Sequence, residues 1–273
     1  MNPRALAAWS LAGLVVALGT TNPYCRGLMA LAGIAVLLRH ARPEVRLRPL
    51  FRLLLSAVVI AALLNPLLSH LGDHVLFNLP AALPVVGGAI TAEAAAFGLV
   101  AGLGIAASAL VVAPLSLTIA GHDLINALPR HLERTGTAVS ASLQLVPGIA
   151  RSYTAIREGQ QLRGWRPGGP GAWGEVLVPT LLTAIEDSVQ LAEAMEARAY
   201  RSGSRTAFAA LAWRGSDTLL VVTAAIVAGG FLAARAAGLA DDWHAYPTLL
   251  APAFQPLPIA LGLALFLPVL RWR

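Results

Sequence analysis

Apolar residues gather into six stretches, each near or above the roughly 20 residues that a membrane-spanning helix needs. They lie at 5–20, 27–38, 51–71, 93–119, 218–238 and 248–270. The second is short and can begin as early as Asn22. The first follows Arg4 in the manner of a signal peptide, but with one preceding charge and no small-x-small site after it we read it as an uncleaved span. The pattern predicts an all-α, polytopic membrane protein in three parts: spans one to four at 1–120, an extramembrane segment at 121–215, and spans five and six at 216–273.

The middle segment is far too long for a plain loop. Its pattern predicts three helices, at 123–134, 138–163 and 175–200, with Pro147 kinking the second. A run of breakers from Gly164 to Gly171 forces the turn between the two long ones. The third is apolar around most of its circumference, through Val176, Leu181, Leu182, Ile185 and Val189, so it cannot lie free in water. Thr180, Ala184 and Ser188 give it a stripe of small residues suited to a close crossing. We expect the two long helices to form a hairpin along the inner membrane face. Within the spans, Ala94, Gly98, Gly102 and Ala106, and then Ala225, Gly229, Ala233 and Ala237, repeat the small-residue spacing and read as helix packing.

Composition agrees: 57% of the 273 residues are hydrophobic and 12% charged, against about 25% charged in a soluble domain. All twenty basic residues are arginine. Without lysine there is neither a P-loop nor a Schiff-base enzyme. Eighteen of the arginines fall before span one, between spans two and three, between spans four and five, or after span six, leaving Arg26 and Arg235 on the other side. The positive-inside rule then puts both termini in the cytoplasm of a multi-pass inner (plasma) membrane protein. The net charge of +6 is that asymmetry, and no nucleic-acid partner is expected. Cys25, the single cysteine, has no disulfide or zinc companion.

Each long extramembrane helix finishes in an arginine among small neighbours: Leu162-Arg163-Gly164, then Ala197-Arg198-Ala199. Small flanks let a guanidinium reach into a groove, and its five-donor fork suits carboxylates or helix-end carbonyls. Alternatively, each arginine simply complements its own helix C-terminus.

At these residues the chain resembles the T component of energy-coupling factor (ECF) transporters, the group that includes cobalt-uptake permease subunits. Family members carry two coupling helices ending in Ala-Arg-Gly or Ala-Arg-Ser motifs, and Gln160-Gln161-Leu162-Arg163-Gly164 and Ala194 to Arg201 stand in those places. Asn65 to Gly72, Val75-Leu76-Phe77, Thr91-Ala92-Glu93 with Gly98, and Thr21-Asn22-Pro23 are similar in order and spacing, so the likeness runs through nearly the whole chain. It implies a non-catalytic coupling subunit without cofactor, whose Arg163 and Arg198, flanked by Leu162, Gly164, Ala197 and Ala199, dock into two cytoplasmic ABC ATPase subunits. Those subunits would drive a separate substrate-binding membrane subunit, the S component, in vitamin or transition-metal uptake. Leu162 replaces the usual alanine and Ala199 the usual glycine or serine, which bears on groove fit; Ala199 also suggests that the third helix continues through Tyr200.

His70, Asp73 and His74 have a spacing that can bring metal ligands together but lack a third nitrogen or sulfur ligand nearby, so no metal site is expected. Arg201, Arg205 and Arg214 suit either reinforcement of the ATPase contact or anionic headgroups, with headgroups favoured, and Asn65-Pro66 suits a bend in span three. The alternative function is a stand-alone secondary permease, which would carry intramembrane charges or paired broken helices. An enzyme is less favoured, since G-x-S-x-G, H-E-x-x-H and C-x-x-C are absent.

Overall fold

A computed structural model describes residues 2–80, 87–119, 133–166, 168–200 and 213–271. They form two compact units, Met1–Leu124 with Ala212–Arg273, and Ile125–Leu211. In chain order the elements are α1 (Pro3–Gly19), α2 (Pro23–His40), α3 (Leu47–Leu68), β1 (Val75–Asn78), β2 (Ala89–Thr91) and α4 (Ala92–Thr118), then α5 (Glu133–Leu162), α6 (Gly169–Ala172) and α7 (Gly174–Ala197), then α8 (Gly215–Ala236), α9 (Pro256–Ala264) and α10 (Leu267–Arg271). The second unit holds α5 to α7 and the first holds the rest.

Helix starts follow local chemistry. The Asn2 and Asn22 side chains accept from the amides of Arg4 and Tyr24, and Pro3 and Pro23 occupy the first helical positions, where a missing N–H costs nothing. Thr91 caps α4 by accepting from the Ala94 amide. Among the described residues three helices are long and apolar enough to cross a membrane, α3, α4 and α8; α1 and the stretch Pro256–Val269 are apolar but shorter.

The sixth apolar stretch differs most from expectation. Residues 248–255 are not helical, and the helix starts only at Pro256 and is interrupted after Ala264. Pro252 and Pro256 disfavour helical backbone in the residues before them, and Pro268 cannot donate to the preceding turn. The connection before α4 also contains a short antiparallel hairpin, pairing Val75 with Thr91, Phe77 with Ile90 and Asn78 with Ala89.

The membrane unit is organised around α4, which packs against α1, α2 and α3, while α1 also packs against α8. Glycines set the spacing. A Cβ at Gly33 would lie 2.4 Å from the Leu110 carbonyl oxygen, one at Gly98 2.4 Å from that of Ala61, and one at Gly102 2.8 Å from the Val58 Cα. The row Ala94, Gly98, Gly102, Ala106 is thus partly spent on the α3 crossing, whereas on α8 a Cβ at Gly229 meets nothing within 4 Å. Buried polar groups pin the same helices: Ser10 Oγ donates to the Val111 carbonyl at 3.0 Å, and Trp9 Nε1 to that of Leu265 at 2.9 Å.

At the α1–α2 turn the segment after α8 folds down as a cap. Asp242 Oδ1 accepts from the Thr21 amide at 3.0 Å, Asn22 Nδ2 donates to the Ala253 carbonyl at 2.9 Å, and Arg235 Nη2 meets Asp242 Oδ2 at 2.5 Å. At the opposite end, buried Asp217 accepts from the amides of Asn2 and Arg214 at 3.2 and 3.0 Å. The Arg235 hydrogen bond, helped by the Thr21 amide and opposed by partial burial, holds the Asp242 carboxyl below its usual range.

Two predictions follow from these contacts, both read as thermal unfolding in detergent. Gly33→Ala should destabilise by about 1–3 kcal/mol through overpacking, while Gly229→Ala should be neutral or gain up to about 1 kcal/mol from helix propensity. A carboxyl with a depressed folded-state pKa contributes stability that is complete above its unfolded pKa and lost as pH falls through the folded one. The advantage of wild type over Asp242→Asn should therefore be constant near neutrality and shrink below about pH 4.

Candidate functional site

In the second unit, α5 and α7 pack against each other. Val176 and Thr180 of α7 are buried, Ala184 is half-buried and Ser188 is exposed. The hydroxyls of Thr180 and Ser188 donate back to the carbonyls of Val176 and Ala184 at 2.7 Å, which uses the single donor of each. The helix α5 runs through Pro147 without interruption. Leu177, Val178, Leu181, Leu182, Ile185 and Val189 remain exposed within this unit.

Both long helices stop in the same way. After α5, the Trp165 amide donates to the Gln160 carbonyl at 3.0 Å and the Gly164 amide to that of Gln161 at 3.0 Å, with Gly164 at φ 86°. After α7, the Tyr200 amide donates to Met195 at 2.9 Å and the Ala199 amide to Glu196 at 2.8 Å, with Ala199 at φ 52°. Each is a Schellman stop, which satisfies the end carbonyls by a left-handed residue directly after the cap. In each, the cap residue is the arginine, Arg163 or Arg198. Helix α8 ends in a third such stop, with the Leu239 amide on Ala234 and Gly238 at φ 70°, but its cap is Ala237. The turn is therefore a general device, and the arginine is what sets the first two apart.

This corrects the expectation that Ala199 lets α7 continue through Tyr200: the helix ends at Ala197, and Ala199 takes the strained left-handed conformation that glycine usually supplies. The Arg163 and Arg198 side chains are exposed and have no hydrogen-bond or ion-pair partner among the described residues. Gly164, Ala197 and Ala199 are exposed beside them, and Leu162, at 91%, is the most exposed large apolar side chain among the described residues. Most of the predicted helix at 123–134, together with Arg201 and Arg205, lies outside the described residues.

The other polar cluster joins the hairpin to α4. Glu93 is fully buried and accepts from the His74 amide at 3.2 Å and from His74 Nδ1 at 2.5 Å. Thr91 Oγ1 donates to the Leu71 carbonyl at 2.6 Å. Gly72, at φ 129°, leaves room for the carboxylate, since a Cβ there would lie 2.5 Å from Glu93 Oε2. Of the candidate metal residues, His74 is thus a partner of Glu93 and His70 faces the Ala89 carbonyl at 3.3 Å; no three potential metal ligands converge among the described residues. Asn65 is more than a bend: its Nδ2 donates to the Ala94 carbonyl at 2.6 Å and to the Tyr246 hydroxyl at 3.2 Å, tying α3, α4 and the cap together. The acidic residue opening span four gave the only sequence signal for the Glu93–His74 pair, whose histidine is nineteen positions away.

The model of the CbiQ family, cobalt transport protein, matches residues 1–208. Among curated proteins, the chain is similar to the energy-coupling factor transporter transmembrane protein EcfT of Listeria innocua serovar 6a, 33% identical over 134 residues, which are 44% of this chain and 49% of the relative. The EcfT proteins of Bacillus subtilis, 30% identical over 129 residues (44% and 49%), and Streptococcus equi subsp. equi, 33% over 128 residues (43% and 48%), are similar too. The chain matches these curated relatives over about half of their length.

Because Ala199 is held at a left-handed position, Ala199→Gly should stabilise the α7 stop by about 1 kcal/mol. Amide exchange at Tyr200 should slow about fivefold, while Gly164→Ala should speed exchange at Trp165.

Proposed function

The chain belongs to the CbiQ cobalt transport protein family, and from that membership we propose that it is the transmembrane coupling subunit of an ECF-type importer. In this role Arg163 and Arg198 dock into grooves on two cytoplasmic ABC ATPase subunits. ATP-driven closure of those subunits moves α5 and α7, and the movement passes to a substrate-binding S component that takes up a vitamin or transition-metal ion. The chain is then a non-catalytic subunit of the inner membrane with both termini in the cytoplasm, and ATP hydrolysis belongs to its partners. The names of the EcfT relatives support the class of machine.

The observation that carries the reading is the pair of arginine-capped stops. A Schellman turn satisfies the last carbonyls internally, so the cap arginine is not consumed in neutralising its own helix end. It stands exposed at the hydrogen-bonded helix end beside residues small enough to enter a groove, Gly164 in one case and Ala197 with Ala199 in the other. Leu162 gives the first tip an apolar contact, and burying it in a partner contributes up to about 1.5–3 kcal/mol. In this reading the small side chains of Thr180, which is buried, and Ala184, which is half-buried, let α7 pack closely against α5 so that displacement of a tip is transmitted. Ser188 lies further along the same stripe and is exposed. The gathering of eighteen of the twenty arginines on one side of the apolar stretches supports that orientation through the positive-inside rule.

A guanidinium bonded to a charged or carbonyl acceptor contributes about 1.5–3 kcal/mol. Arg163→Glu and Arg198→Glu should therefore each weaken ATPase association about 10- to 100-fold, and the double change should abolish it, in co-purification from mild detergent with membrane levels matched. Equal recovery with the double variant, or none with wild type, removes the docking reading and leaves the secondary permease to be tested.

A further inference from the structure

We propose that the groove beside the α1–α2 turn is a phospholipid site, with the lipid phosphate on Arg26 and one acyl chain along α4. The groove is a cavity of about 310 Å³ whose walls include Leu18, Phe97, Ala101, Ile105 and Trp243, and Arg26 lines it. It is predominantly apolar, and its other polar side chains are already used. Thr21 Oγ1 donates to the Trp243 carbonyl at 2.8 Å, Ser108 Oγ to that of Ile105 at 2.9 Å, and Trp243 Nε1 to that of Leu250 at 2.9 Å.

Arg26 is the exception. Its Nε donates to the Thr20 carbonyl at 2.9 Å and its Nη1 to that of Val100 at 2.8 Å. A guanidinium has five N–H donors, so three remain without a protein acceptor among the described residues. Gly104 makes the position possible, because a Cβ there would lie 2.8 Å from Arg26 Cζ. The nearby carboxylate, Asp242, is engaged by Arg235 and Thr21, and Asp241 is exposed. A half-buried arginine fixed by two carbonyls against an apolar groove in a membrane protein calls for an anion with an apolar tail.

The level in the membrane fits such a ligand. At 1.5 Å per residue α1 is about 25 Å long, shorter than a bilayer core of about 30 Å. Headgroups next to α1 and α2 are therefore drawn towards the turn that joins them. Arg26 lies in the first turns of α2 at that edge, with Phe97 and Trp243 flanking the headgroup position. Ile105 lies about two turns further along α4 from that edge than Phe97, where an acyl chain would run.

The test uses the full chain in detergent, titrated with phosphatidylglycerol, with phosphatidylcholine, or with glycerol 3-phosphate alone, bound lipid being counted by native mass spectrometry. Wild type should bind phosphatidylglycerol saturably and more tightly than phosphatidylcholine. Arg26→Gln should weaken phosphatidylglycerol at least tenfold and leave phosphatidylcholine unchanged. Ala101→Trp, which fills the groove and keeps the charge, should lose both lipids, while Ile60→Trp on the exposed face of α3 should lose neither. Wild-type binding of phosphatidylglycerol by Arg26→Gln or by Ala101→Trp overturns the proposal, as does full competition by glycerol 3-phosphate. If Arg26→Gln does not survive purification, Ala101→Trp decides the matter alone.

Discussion

Helices in lipid gain little from burying apolar surface against one another, since the solvent they leave is as apolar as the surface they meet. What holds the membrane unit together is close approach to α4. Gly33 of α2 sits over Leu110, and Gly98 and Gly102 of α4 sit against Ala61 and Val58 of α3, at distances that leave no room for a methyl group. At those crossings a polar side chain can reach the facing backbone, so Ser10, Arg26 and Asn65 each find a carbonyl on α4. The polar pins and the glycine contacts serve one constraint, in that neither works without the other.

The same constraint explains why the ends of the unit are built differently. Short helices such as α1 cannot reach as far as α4, and the space above their turn is closed by the segment after α8, which carries its own carboxylate for Arg235. The two arginines that break the charge asymmetry, Arg26 and Arg235, are therefore structural members of this capped end. The hairpin and the Glu93–His74 pair close the neighbouring corner over α3 and α4.

Much of this was legible in the sequence, because apolar length and arginine asymmetry are strong one-dimensional signals. The all-α class and the pairing of two long helices in the middle segment appear as read, and the third, fourth and fifth apolar stretches coincide with described helices long and apolar enough to cross a membrane. The sixth stretch was misjudged because hydropathy counts Leu249, Leu250 and Phe254 as span, whereas the prolines around them decide the backbone. Asn65 looked like a helix bend, and only the fold places Ala94 and Tyr246 within its reach. The end of α7 went the other way: alanine favours helix on propensity, but the hydrogen bonds of the Schellman stop outweigh the strain at Ala199.

The repetition of one backbone device with arginine at its cap is the feature on which the functional account depends. Because Cys25 is the only cysteine, a Cys25→Ser background allows spin labels at the exposed positions Glu158→Cys and Glu193→Cys, each five residues before a cap arginine and outside the docking residues. Pulsed dipolar spectroscopy would measure the distance between them in the assembled transporter in nanodiscs, with and without bound ATP. The account predicts a distance that shifts when the ATPases close on nucleotide and stays fixed when they are absent. An identical distribution in all states would contradict it.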